Sequence, residues 1–348
     1  MQLRILSNNL WWCDDNRPAW AAKGMDCSAA ARAAGFANLY ACLQPDVIGL
    51  QECSALMADE LMERLPAVGL HYTLLWGRDT PILYRSDRFD LVDSAYLNYP
   101  EEFPGHEGSF NNWRTKSYLA AVLRCKADGK LLIVATTHLW WMSGRPDSPI
   151  YQPHSAHARA YQLGLLMDAI DSLQAQYACP AIMLGDFNAG FSSLTMEAAF
   201  ARGWLHAHDT ATEYADNGHG HHECDSNGYE PYVPQPIRFS LDQILHRNAP
   251  RASSAALTGT LAKNTCASPI IFLSGWMLIC DFPCSQITQK AAPVLIRGLP
   301  LCICQFGITA QARLHTAPPL LSLTITPIAA SSSRMRSDSA QFLALRAS

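Results

Sequence analysis

The chain has 348 residues, of which 49% are hydrophobic and 9% aromatic, so it can form a folded core and is not a disordered protein. Its formal charge of −4 at pH 7 creates no general basic field, which argues against a non-specific coat on nucleic acid. The length allows one large domain or two ordinary ones.

The cysteines and the N-terminus both bear on where the protein resides. Twelve cysteines without a CxxC pair are too few for a disulfide scaffold, which predicts free thiols in a reducing compartment. The first residues have neither the basic nor the apolar segment of a secretory signal peptide. We therefore expect a cytoplasmic protein.

Strands and helices are mixed along the first 250 residues. Short apolar runs bounded by turn residues predict strands at residues 3–7, 47–51, 72–76, 82–84, 89–92, 117–125, 131–137, 182–184 and 238–245. Helical patterns cover residues 28–43, 55–65, 154–173 and 194–201. Polar residues gather directly after several of the strands, which is typical of a layered α/β fold with its site at one sheet edge.

The most informative motif is Met-Leu-Gly-Asp-Phe-Asn-Ala at residues 183–189, where a buried strand delivers Asp186 and Asn188. A carboxylate and an amide two residues apart can hold a phosphate or the water on a metal ion. Four other motifs occur in order: Leu-Ser-Asn-Asn at 6–9, Pro-Asp-Val-Ile-Gly-Leu-Gln-Glu at 45–52, Thr-Thr-His-Leu at 136–139 and Ser-Leu-Asp-Gln-Ile-Leu at 240–245. With these five motifs, residues 1–248 resemble the endonuclease/exonuclease/phosphatase superfamily of metal-dependent phosphodiesterases.

The resemblance implies a two-sheet, four-layer α/β sandwich and a single divalent cation. Glu52 corresponds to the metal-binding glutamate of the family, and Asn9 corresponds to the asparagine beside it, which also meets the substrate. We therefore expect Mg²⁺ at this position, with Mn²⁺ as the alternative, because hard divalent cations prefer oxygen ligands.

The same resemblance implies catalytic roles for four further residues. Asp186 corresponds to the aspartate that positions or activates the attacking water, and Asn188 corresponds to its phosphate-binding partner. His138 is similar to the histidine that donates to the phosphoryl oxygens, where negative charge develops in the transition state. Asp242 is similar to the aspartate that orients a final histidine.

Arg114 is a candidate substrate-binding residue outside these motifs. It follows Trp113 and precedes a predicted strand, and its planar guanidinium has the geometry to bind a phosphate. An ordinary loop arginine is the simpler explanation of the same position, and both interpretations stay open at this point.

The family's closing Ser-Asp-His motif is missing from this chain. Only His315 follows His246, and its neighbours do not match the motif, while Ser337-Asp338-Ser339 lacks the imidazole. Loss of a general base removes a contribution of about 10²- to 10⁴-fold to the rate. The missing histidine therefore predicts a lower rate of hydrolysis for this chain.

The composition also changes after residue 250. Residues 251–348 contain eight Lys and Arg and two Asp and Glu, too few charges for an ordinary soluble domain. We interpret residues 1–250 as the family domain, lacking its last strand or strands, and residues 251–348 as an irregular tail read out of frame. The uncharged stretch 264–280 is shorter than the ~20 residues of a bilayer span, so no stable membrane insertion is expected.

The motifs and the missing closing motif together predict two alternative functions for this chain. The first is a divalent-metal-dependent hydrolase that cleaves phosphodiesters or phosphomonoesters by in-line attack of water. Its substrate would be a nucleic acid, a phospholipid headgroup or a small phosphoester. The alternative is an impaired or inactive family member that keeps a phosphate- or metal-binding cleft.

Overall fold

The structure is a computed structural model, and it describes residues 2–211, 219–223, 233–236, 240–248, 252–257 and 276–281. Its helices are α1 Pro18–Ala21, α2 Ala29–Leu43, α3 Ala55–Arg64, α4 Ser155–Tyr177, α5 Leu194–Ala201 and α6 Ala207–Thr210. A short 3₁₀ helix, Leu65–Val68, follows α3. None of the helices in these ranges is long and apolar enough to cross a membrane.

The sequence sets the ends of α2 and α3. Ser28 and Ser54 cap α2 and α3, because each hydroxyl accepts a hydrogen bond from a backbone N–H in the first turn. Helix α2 stops at Gln44, which adopts a left-handed conformation and is followed by Pro45. The chain then turns directly into the buried strand that carries the Gly-Leu-Gln-Glu motif.

The strands form two six-stranded sheets. The strands are β1 Gln2–Asn9, β2 Val47–Gln51, β3 Tyr72–Leu75, β4 Ile82–Arg85, β5 Phe89–Asn98, β6 Ser117–Cys125, β7 Leu131–His138, β8 Ala181–Asp186, β9 Leu205–His206, β10 His219–Glu223, β11 Val233–Pro236, β12 Asp242–Arg247, β13 Ala252–Leu257 and β14 Trp276–Asp281. The first sheet has the order β13-β14-β1-β2-β4-β3, and the second has the order β5-β6-β7-β8-β12-β9. Strands β10 and β11 form a separate antiparallel ribbon.

The two sheets pack face to face between layers of helices. Ile5 and Val47 of the first sheet share one buried cluster with Leu119, Val134 and Leu184 of the second. A second cluster joins the other face of the first sheet to α2 and α3. A third joins the other face of the second sheet to α4 and α5. These four layers confirm the predicted two-sheet α/β sandwich.

The predicted elements are present, with shifted ends. Strand β5 runs to Asn98, six residues beyond the predicted end, because a register shift between Leu91 and Asp93 breaks the period-2 pattern. The predicted strand 238–245 instead begins at Asp242, and residues 237–239 lie outside the described ranges.

Two strands come from beyond residue 250, where we predicted irregular structure and a missing last strand. Strand β14 pairs antiparallel with β1, and β13 pairs antiparallel with β14. The sequence of β13, Ala-Ser-Ser-Ala-Ala-Leu, has no alternation of large apolar and polar residues, so periodicity could not detect it. Residues 258–275 and 282–348, which include most of the predicted tail, lie outside the described residues.

Candidate active site

The ends of four strands bring the predicted residues together. Strands β1 and β2 run parallel in the first sheet and end at Asn9 and Gln51, directly before Glu52. Strands β7 and β8 run parallel in the second sheet and end at His138 and Asp186, which stand opposite each other. Both pairs end at the same edge of the sandwich, so side chains distant in sequence meet there.

Asn9 connects the two sheets at this edge. Its Nδ2 donates to Oδ2 of Asp186 at 3.1 Å and lies 3.4 Å from Oε1 of Glu52. The loop after β1 folds back onto the same side chains. The backbone N–H of Trp11 donates to Oδ1 of Asn9 at 2.9 Å, and that of Trp12 donates to Oε2 of Glu52 at 3.0 Å.

Glu52 has a left-handed backbone, with φ at 51°. The chain turns sharply there from the buried strand β2 into the cap of α3, which leaves the carboxylate half-buried. A glutamate in this conformation is uncommon, and such strain is concentrated at functional sites. The turn is consistent with a role for Glu52 other than that of a solvated strand end.

His138 lies between an acid and a base that sequence reasoning did not identify. Its Nδ1 is 2.7 Å from Oδ2 of Asp79, and its Nε2 is 2.5 Å from Nζ of Lys116. All three side chains are buried. Because an ammonium group can only donate, Nε2 accepts from Lys116, and Nδ1 therefore carries the proton and donates to Asp79. Nε2 also lies 3.7 Å from Oδ2 of Asp186.

Asp79 and Lys116 carried no recognisable sequence signal. Asp79 sits in the turn between β3 and β4, and Lys116 directly precedes β6. Single charged residues in such positions are usually solvated. Only the packing of the two sheets shows that both are buried against His138.

Asp186 is held by backbone and side-chain donors. The N–H of Asn188 donates to Oδ1 of Asp186 at 2.8 Å, while the Asn188 side-chain amide donates to the carbonyl of Leu139 at 3.1 Å. Burial raises the pKa of Asp186 above its ordinary value, and the nearby Asp242 carboxylate raises it further. Asn188 thus fastens the loop after β8 to the loop after β7.

Asp242 begins β12 directly opposite Asp186 and is buried. His246, four residues after Asp242, is hydrogen-bonded to another residue: its Nε2 lies 2.8 Å from the hydroxyl of Thr210. His315, the only histidine of the chain after His246, is outside the described residues.

Arg114 lies two residues before Lys116 in sequence but makes different contacts. Its side chain is 71% exposed, and its Nε lies 3.7 Å from Oε1 of Glu101. Its carbonyl accepts a hydrogen bond from the side chain of Asn98. Among these contacts none joins Arg114 to the cluster at the strand ends.

The donor set fits a divalent cation. Glu52, His138 and Asp186 each offer one ligand atom, and these atoms all lie within 4.8 Å of one another. Two carboxylates with the neighbouring amide of Asn9 suit a hard cation, and a cation between them would relieve the repulsion between the half-buried Glu52 and the buried Asp186. Sequence analysis named Glu52 and Asn9 as ligands, and the geometry adds Asp186 and His138 as candidates.

Comparison with known proteins assigns the chain to a family. The model of the Endonuclease/Exonuclease/phosphatase family matches residues 9–263, which contain every residue of the cluster. The chain belongs to this family. Membership indicates an enzyme that hydrolyses phosphoester bonds and generally depends on a divalent metal ion. A search of curated proteins gives no match.

Solved structures of the family have the same fold. The Bacteroides thetaiotaomicron mannosyl-6-phosphatase Bt3783 has a TM-score of 0.60 at 17% identity, covering 80% of this chain and all of its own. The human Nocturnin catalytic domain with bound sulfate has a TM-score of 0.52 at 18% identity, covering 81% of this chain and 95% of its own. The D. rerio TDP2 complex with a single-stranded DNA product has a TM-score of 0.51 at 19% identity, covering 81% and 99%. At these identities the likeness establishes the fold and not the substrate.

Proposed function

We propose that this chain hydrolyses a phosphodiester or phosphomonoester by in-line attack of water, with Mg²⁺ at Glu52 and Asn9. The observation that supports the proposal is the cluster of Asn9, Glu52, His138 and Asp186, in which a hydrogen bond from Asn9 to Asp186 joins the two sheets. A bound divalent cation would neutralise charge on the phosphoryl oxygens and orient the phosphate. Mn²⁺ is the alternative ion.

Asp186 is the residue that we propose orients the attacking water and accepts its proton. Its two carboxylate oxygens are fixed by the side chain of Asn9 and the N–H of Asn188. The raised pKa of this carboxyl makes it a stronger proton acceptor than an ordinary aspartate. Orientation by fixed donors lowers the entropic cost of bringing water and phosphorus together.

Lys116 supplies positive charge and a hydrogen-bond donor for the phosphoryl oxygens, and His138 becomes a second donor when its Nε2 takes up a proton. The buried carboxylate of Asp79 fixes the ring of His138 through Nδ1, which leaves Nε2 directed toward Asp186 and Lys116. A phosphate entering between these groups would take the hydrogen bond that Lys116 now gives to His138. Fixed donors of this kind stabilise the charge that develops in the transition state.

The missing Ser-Asp-His motif favours a second candidate function. In the family the residue at the position of Asp242 would orient a closing histidine, and this sequence has no such motif after β12. A chain without that base would bind a phosphate or a cation and hydrolyse its substrate slowly or not at all.

The substrate class is also a proposal: a nucleic acid, a phospholipid headgroup or a small phosphoester. Arg114 remains a candidate contact for it.

The test is hydrolysis of an aryl phosphodiester and an aryl phosphomonoester by the full chain. We expect turnover with Mg²⁺, loss of turnover with EDTA and at least a 10³-fold lower rate for Glu52→Gln, because the cation loses its carboxylate. Glu63→Gln, on the exposed surface after the middle of α3, is the matched control and should retain full activity. Turnover that survives EDTA would contradict the proposal, and Mg²⁺ binding without turnover would support the second candidate.

A further inference from the structure

Two buried thiols face each other in the segment between β1 and α2. The Sγ atoms of Cys13 and Cys27 are 3.8 Å apart, and both residues pack with Trp20 in a small apolar cluster. Both are free cysteines in the structure. The sulfur atoms are already in contact, so the approach to a disulfide bond of about 2.05 Å is short.

A buried arginine holds the backbones of both cysteines. The guanidinium of Arg32, on α2, donates to the carbonyl of Cys13 at 2.5 Å and to the carbonyl of Cys27 at 2.8 Å. The two residues are therefore fixed relative to the same side chain before any bond forms. This arrangement reduces the conformational freedom that a new cross-link would have to remove.

The two thiols have different environments. Nε of Arg17 donates to Sγ of Cys13 at 3.4 Å, and Cys13 is 7% exposed, whereas Cys27 is fully buried. The thiolate is the nucleophile in thiol–disulfide exchange, and the more exposed of two thiols meets an oxidant first. Burial raises the pKa of Cys27 to about 11. Cys13 is thus suited to react first with an oxidant, and Cys27 to react second.

We propose that Cys13 and Cys27 form an oxidation site that closes to an intramolecular disulfide with glutathione disulfide as the oxidant. The Cys13 thiolate attacks one sulfur of glutathione disulfide and releases one glutathione thiolate. Cys27 then loses its proton and attacks the Cys13 sulfur, which releases the second glutathione. The two cysteines lose two electrons and two protons in total, and one glutathione disulfide becomes two glutathione thiols.

The disulfide would restrain the segment that contacts the site. Trp11 and Trp12, directly before Cys13, give the backbone hydrogen bonds to Asn9 and Glu52. The cross-link closes a loop that begins immediately after these donors. The proposal itself concerns the thiols and does not depend on the proposed hydrolase activity.

Trypsin separates the two cysteines, which makes the test direct. Arg17 precedes Pro18 and resists cleavage, so cutting after Lys23 leaves Cys13 on residues 5–23 and Cys27 on residues 24–32. The folded full chain is incubated with glutathione disulfide, alkylated and digested without reductant. We expect the peptides 5–23 and 24–32 to be joined, lighter than their sum by two hydrogen atoms, and separate after reduction.

Variants distinguish this pair from the other cysteines. Cys42→Ser, on α2, should leave the linked peptide unchanged, while Cys13→Ser should abolish it and leave Cys27 open to alkylation on unfolding. If folding fails in Cys13→Ser, the peptide map of the wild-type chain alone decides the outcome. Recovery of both wild-type cysteines as alkylated thiols, or joined to other cysteines, would overturn the proposal.

Discussion

At the scale of residues, the site depends on how buried charges are balanced. His138 accepts from Lys116 on one side and donates to Asp79 on the other. Glu52 and Asp186 share the amide of Asn9. Each of these buried polar groups makes at least one hydrogen bond, as burial of ionisable groups requires. Changing one of them should therefore alter the chemistry of its neighbours.

We expect Asp79→Asn to lower the rate of phosphoester hydrolysis by about 10- to 100-fold, the usual effect of removing a group that orients an active-site histidine. The amide no longer fixes the proton on Nδ1 of His138, so the ring loses its preferred tautomer and orientation. Steady-state kinetics with saturating Mg²⁺ measure the change. Asp59→Asn, an exposed residue of α3, is the control. An unchanged rate in Asp79→Asn would show that the ring needs no carboxylate.

The raised pKa of Asp186 predicts a pH-dependent stability. A carboxyl whose pKa is higher in the folded state than in the unfolded state costs stability as pH rises through the folded value. Without metal, Asp186→Asn should therefore melt a few degrees above the wild-type chain near neutral pH, and the difference should shrink as the solution becomes acidic. Thermal melts in EDTA at several pH values check this. A difference that grows on acidification would contradict it, and Asp59→Asn should show none.

At the scale of elements, the site depends on glycines that let the two sheets and neighbouring strands come close. Gly185, one residue before Asp186, has φ at +142°, and a Cβ atom there would lie 1.9 Å from the carbonyl oxygen of Thr137. Gly49, in β2, would place a Cβ 2.2 Å from a methyl of Leu184. Side chains at either position would separate the strands that carry the functional residues.

Gly185→Ala should lower the free energy of unfolding by about 1–3 kcal/mol or more. The added Cβ would clash with the backbone carbonyl of Thr137, which cannot rotate away as a side chain can. It should also reduce activity, since Asp186 is displaced from Asn9. Gly164→Ala, in α4, is the matched control: an added Cβ meets no atom within 4 Å, and the helix should gain about 0.4–1 kcal/mol. Denaturant melts measure both changes. Equal stability of the two variants would contradict the assigned strand contact.

At the scale of the whole molecule, the first sheet depends on strands distant in sequence. Strand β14 pairs with β1 from Leu6 opposite Met277 to Gln2 opposite Asp281. Strand β1 carries Asn9 at its other end. Without β14, one side of β1 would expose its unpaired N–H and C=O groups, which promote edge-to-edge association.

A chain truncated after Asn248 should therefore be less soluble and lose cooperative melting, while one truncated after Asp281 keeps β13 and β14. Size-exclusion chromatography and thermal melts of the two truncated chains measure the difference. We expect the shorter chain to aggregate at micromolar concentration and to bind Mg²⁺ more weakly. If both chains melt alike as monomers, the pairing of β14 with β1 contributes nothing to the fold.

The sequence alone predicted much of this protein, because local patterns carried the information. Short apolar runs located most of the strands, helical patterns located α2 and α3, and five motifs identified the family and the residues Asn9, Glu52, His138 and Asp186. The end of a buried strand is visible in a few neighbouring residues, because an apolar run is followed there by polar or turn-forming residues. The roles assigned to these residues stay predictions.

Only the tertiary structure decided which charges meet. Asp79 and Lys116 lie in a turn and before a strand, and nothing local distinguishes them from solvated residues until two sheets pack them against His138. Strand β13 was hidden for a related reason: its small residues have no periodicity, and its place depends on pairing with β14. The contact of Cys13 with Cys27 likewise appears only when the segment folds over Arg32. Burial and pairing between distant residues are properties of packing, which a linear pattern does not contain.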